Sequence, residues 1–115
     1  MMIGTILAQS RPANTTAVSA YSPPNDTVRT EITLVTVCNT SGASAKYRIF
    51  IDDDGTTYDE TTALFWDIAV AADTSVEILL HSKSWWMTNS SGNLAVRTDT
   101  ASAFTFTVFG MEHQV

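Results

Sequence analysis

From Ala103 to Phe109 the chain reads Ala-Phe-Thr-Phe-Thr-Val-Phe. This two-residue alternation of apolar and polar side chains, rather than a helical period, runs through most of the sequence. Successive side chains on a strand point to opposite faces, so the pattern describes sheets with one face buried. Turn clusters interrupt it: Ser22-Pro23-Pro24-Asn25-Asp26, Asn39 to Ser44, Asp52-Asp53-Asp54-Gly55, Ala71-Ala72-Asp73, and Asn89 to Asn93. Gly, Asn and Asp tolerate left-handed backbone, and Pro fixes its own φ, so these breaks are turns with a mechanism. About eight strands fit between them, near 5–10, 15–21, 28–38, 45–52, 64–70, 75–82, 94–98 and 103–109. Short strands with frequent turns predict an all-β fold, an antiparallel, jelly-roll-like β-sandwich, with residues 1–115 as a single domain.

The strand faces predict a surplus of apolar surface. In 45–52, Ala45, Tyr47, Ile49 and Ile51 share one face; in 28–38, Ile32, Leu34 and Cys38 do. The short Gly-containing connection between the two predicts an antiparallel hairpin. Val35, Val37, Phe50, Phe65 and Leu79 then fall on faces that ought to be wet. A sheet apolar on both sides needs a cover: the N-terminal segment, the 53–63 loop, or another subunit. The interface candidates are Met2, Ile3, Ile6, Val35, Val37 and Phe50, joined by Trp85 and Trp86. Those two tryptophans are adjacent, so they point to opposite faces of any strand that holds them. An outward Trp, with Trp66 and Tyr58, suits a protein interface or stacking on a sugar ring; the plainer alternative sets the pair as two rims of the core, one at each end of the sandwich.

Charge and composition exclude several functions. Twelve acidic residues against six basic ones give a net charge of −6, which opposes nucleic-acid binding, where basic groups neutralise phosphates, and anionic membrane surfaces. Charged residues make up only 16% of the chain, while there are 18 Thr, β-branched and suited to strands. The apolar run at Met1 to Ala8 lacks a positively charged start and reads as part of the fold. The lone Cys38 lies in an apolar strand and reads as a small buried hydrophobe.

No constellation for catalysis emerges. The two histidines, His81 and His113, have no nucleophile motif around them, and His113 lies near a terminus, where chains fray. Asp52-Asp53-Asp54-Gly55 suggests calcium, but position twelve of that loop is Ala63 rather than the closing Glu, so the run reads as a solvated acidic turn. One Cys and two distant His do not make a zinc set. The expectation is no catalytic, cofactor or metal site.

The order of short motifs resembles a group of small virion structural proteins from tailed bacteriophages. Gln9, Pro12-Ala13, Thr15-Thr16 and Tyr21-Ser22-Pro23 match its opening. Val37-Cys38-Asn39, Arg48, Asp67, Ala71-Ala72-Asp73-Thr74 and Glu77 match its middle, and Phe106-Thr107-Val108-Phe109-Gly110-Met111-Glu112 its end. The resemblance implies a non-enzymatic β-sandwich mounted on the virion. Its expected role is a capsid decoration or cement protein, a homotrimer that contacts the major capsid protein or other virion proteins. The alternative is a tail, baseplate or fibre module that binds the host surface.

Overall fold

The computed structural model describes residues 5–80 and 84–114. Among them are nine strands and no helix: β1 (Thr5–Ser10), β2 (Val18–Tyr21), β3 (Val28–Asn39), β4 (Ala45–Asp52), β5 (Ala63–Val70), β6 (Ser75–Leu79), β7 (Trp85–Met87), β8 (Asn93–Thr98) and β9 (Phe104–Gln114). One sheet runs β1-β9-β3-β6, with β7 pairing β3 beyond the end of β6; the other runs β2-β8-β4-β5, and every pairing is antiparallel. Strands consecutive in sequence thus mostly lie in opposite sheets, and the strand orders are those of a jelly roll. The expected all-β sandwich is the fold observed.

The core lies between the sheets. Ile32, Val35, Val37, Phe104, Phe106 and Val108 of the first sheet meet Tyr47, Ile49, Leu94 and Val96 of the second, all essentially inaccessible to solvent. Tyr47 meets Phe104 and Phe106 edge-on at 5.9 and 6.1 Å, the arrangement favoured by the ring quadrupoles.

Polar clamps tie the layers together. The Tyr21 hydroxyl, from β2, donates to Glu112 Oε2 at 2.6 Å and sits 2.6 Å from Thr30 Oγ1, which joins the second sheet to β3 and β9 of the first. The buried Asn39 side chain donates to the carbonyls of Ala43, Val70 and Ala71 and accepts from the Ser41 amide and hydroxyl, locking two corners at one end of the sandwich.

Burial and the hydrogen bond to Glu112 raise the Tyr21 pKa above its ordinary value of 10.0. The folded chain therefore holds this proton more tightly than the unfolded chain does. The resulting stability is complete below pH 10 and is lost as the pH rises beyond it. Denaturant midpoints are expected to fall on the alkaline side of pH 10, and Tyr21→Phe to lessen that fall. Tyr47 and Tyr58, whose pKa values burial also raises, contribute in the same direction.

Two sequence expectations are corrected. β3 and β4 do not form a hairpin: β3 pairs with β9, β6 and β7, whereas β4 pairs with β5 and β8. The short connection crosses from sheet to sheet, and Asn39 secures that crossing. The faces of β3 also differ from simple alternation. Ile32 lies opposite Gly110 and Leu34 opposite Phe109, so Thr33 is an extra residue in the ladder. Such a bulge shifts the inward set by one residue: Val28, Thr30 and Ile32 face in before it, Val35, Val37 and Asn39 after it. Leu34 and Cys38, expected to share the inner face with Ile32, point outward.

Candidate functional site

Three of the interface candidates are covered by the chain itself. Val35 and Val37 are wholly buried between the sheets, because the bulge turns them inward. They are unavailable to a partner. Phe50 does lie on the outer face of the second sheet, opposite Ala95 and Ala63, but is only 1% exposed. Tyr58 of the 53–62 loop and Trp66 of β5 cover it, each ring 6.2 Å from its own. Phe65 faces the core, and so does the interface candidate Trp85, which lies 6.2 Å from it on the inward side of β7, opposite Ile32. Met2, Ile3 and His81 lie outside the described residues.

Ile6, Leu79 and Trp86 are different. They are 54%, 49% and 50% exposed, and all three stand on the outer face of the first sheet. The ladder places Ile6 opposite Phe109, Phe109 opposite Leu34, and Leu34 opposite Leu79. An apolar row therefore crosses four strands without a polar interruption. Beside it runs a second row, Met111, Glu31 and Trp86.

Glu31, the one charge within these rows, is engaged laterally. Ser84 Oγ donates to its Oε2 at 2.6 Å, and His113 Nε2 lies 3.3 Å from its Oε1. The His113 ring also stacks on Trp86 at 5.2 Å. Expected to fray, His113 is instead held in β9 opposite Arg29. Ser, Glu and His meet here, but the carboxylate stands between the other two. The histidine does not contact the serine, so this is no relay for activating a nucleophile.

The outer face of the second sheet carries a different cluster. Arg48 grips Asp67 with two bonds, of 2.7 and 3.1 Å, and its guanidinium lies 3.4 Å from the centre of the Trp66 ring. Asp67 adopts φ 53° at a bulge, since Tyr47 pairs with Ile68 and Ile49 with Phe65. The Arg48 hydrogen bonds hold the Asp67 carboxyl below the ordinary carboxylate range. Next to it, Glu60, Ala63 and Trp66 line a shallow groove of about 400 Å³.

The acidic loop is occupied with its own turns. Asp52 accepts the Thr57 and Asp54 amides, and Asp59 accepts the amide and hydroxyl of Thr61. Among the described residues, no three His, Cys, Asp or Glu side chains are grouped to hold a metal ion, and no helix is long and apolar enough to cross a membrane.

Many residues that carried the phage resemblance prove to be fastenings of the fold: Arg48 with Asp67, Tyr21 with Glu112, Gln9 with Thr107 at 3.2 Å, and the clamp Asn39. The chain matches no protein-family model and no curated protein. Its class is that of all-β jelly-roll sandwiches.

Sequence reasoning missed Leu34, Phe109 and Met111. Each looks unexceptional within its own strand. Only the register between strands assembles them into a surface.

Proposed function

We propose that this chain is a non-enzymatic structural subunit of a phage virion, a capsid decoration protein that works through self-association and contact with the shell. The observation that carries the reading is the apolar row Ile6–Phe109–Leu34–Leu79 on the outer face of the first sheet. Contiguous apolar surface on a small domain marks a contact site, and covering it at many equivalent positions stabilises an assembled shell by mass action. The jelly-roll order, common in capsid proteins, and the motif resemblance support the same reading.

The test adds the recombinant protein to particles assembled without it. Binding on sedimentation, with shells that rupture at a higher temperature, is the expected result. Leu34→Asp, which places a charge in the middle of the row, is expected to abolish self-association and weaken that protection. Shells that neither bind nor gain stability would overturn the reading.

One observation favours the alternative, a tail or fibre module that binds the host surface. Trp66, 39% exposed beside Glu60 in the shallow groove, offers an aromatic surface next to a carboxylate acceptor, a pairing suited to a sugar ring. Saccharide-array binding abolished by Trp66→Ala would select this module. An array without hits would leave the shell reading in place.

A further inference from the structure

The outer face of the first sheet carries a charge pattern as well as an apolar one. Along β3 the outward side chains run Arg29, Glu31, Leu34, Thr36, Cys38, with the bulge at Thr33. Arg29 lies on one side of the two apolar rows. On the other side, opposite Thr36, stands Glu77 of β6. Both are exposed, and neither forms an ion pair among the described residues. Between them, among the described residues, the only carboxylate is Glu31, already engaged by Ser84 and His113.

We infer that this face pairs with the same face of a second copy about a two-fold axis that lies in the interface, perpendicular to the strands, between the Leu34 row and the Glu31 row. The inference rests on the self-association proposed above and specifies its geometry. It replaces the threefold assembly implied by the resemblance with a two-fold one.

Such an axis reverses strand direction while keeping each strand over its own copy. The Ile6–Phe109–Leu34–Leu79 row of one subunit then packs on the partner's Met111–Glu31–Trp86 row, and the reverse, as an isologous contact demands. The same rotation carries the partner's Glu77 onto the level of Arg29, one strand to the side. A lateral offset of about 5 Å between strands and a spacing of about 10 Å between packed sheets lie within reach of a long Arg and a Glu together. Each interface would contain two such reciprocal pairs.

A two-fold axis along the strands would instead set Arg29 near Arg29 and Glu77 near Glu77. The charges choose between the two orientations. Four strands by four rows give a footprint of about 500 Å² per subunit, or about 1,000 Å² over both, near the lower bound for a specific, reversible dimer.

The experiment measures the mass of the full chain by light scattering across a dilution series, for the wild type, R29E, E77R and the double variant R29E/E77R. Circular dichroism checks each fold, and both positions are exposed, so folding is expected to be unaffected. The wild type is expected to form a reversible dimer, twice the 12.5 kDa chain. Each single variant, which brings like charges together, is expected to weaken it by about tenfold or more. The double variant, with the pair exchanged, is expected to regain most of that loss.

A dimer indifferent to all three variants would overturn this orientation but leave self-association standing. A three-chain mass would overturn the two-fold arrangement. A wild type that stays monomeric at every concentration would overturn the self-association reading itself.

Discussion

Replacing Gly110 with alanine is expected to destabilise the fold by about 3 kcal/mol, the upper range for overpacking a rigid site. Gly110 lies opposite Ile32 at the bulge where β9 meets β3. A Cβ there would be driven into the backbone carbonyl oxygen of Glu31, with the Leu7 side chain also in close contact. A side chain can swing away from an added methyl group. A carbonyl held within a strand ladder cannot move without its neighbours, so the clash would open the pairing that anchors the last strand. For a domain of this size, the loss corresponds to a drop in melting temperature of about 10 °C or more. Gly42, where an added Cβ meets nothing within 4 Å, is the control; Gly42→Ala is expected to leave the melting temperature nearly unchanged. Equal effects at the two positions would show that the crowding at Gly110 is relieved by relaxation.

Asn39→Ala is expected to cost a similar amount, about 3 kcal/mol, for a different reason. The Asn39 amide is fully buried and donates to three carbonyls, from the β3–β4 corner and from the β5–β6 corner. Its oxygen organises the turn through Ser41. Alanine would strip partners from several enclosed polar groups at once, and each such group costs about 1–3 kcal/mol when left unsatisfied. Asn39→Asp separates this effect from lost volume. The side chain keeps its size, but an acceptor now faces three acceptors, so at neutral pH it is expected to destabilise at least as much as alanine. Chemical denaturation of both variants tests the assignment; a stable Asp variant would contradict it.

The sequence was most legible in the placing of its strands, which the turn clusters delimit. β1 and β4 lie at the expected residues, and β8 within one residue of them. Two features escaped for physical reasons. β7 is three residues long, Trp-Trp-Met, too short to display a period. The polar Glu112, His113 and Gln114 resemble a loose end, yet they continue β9 through backbone bonding to β3, which side-chain hydropathy does not report. The hairpin was misassigned because a short turn looks alike whether it joins neighbours in one sheet or strands in opposite sheets.

The candidate surface was legible only in part. Ile6 and Trp86 do face outward, and Phe50 does stand on an outer face, beneath a loop. Val35 and Val37 failed because Thr33 resets the phase of their strand, and the same reset brings Leu34 to the surface. Row partners such as Phe109 come from residues far apart in sequence. Their alignment is a property of strand register, which no single segment contains.

The supernumerary Thr33 has an evolutionary consequence. Loss of that one codon would leave Val28 to Ile32 where they are and let Leu34 follow Ile32 directly, so plain alternation would keep Leu34 outside and Val35 and Val37 inside. Strands with and without the extra residue show the same side chains to solvent and fill the same interior; only the local bend differs. A lineage can therefore gain or shed this residue in one in-frame event without changing what the domain shows its neighbours.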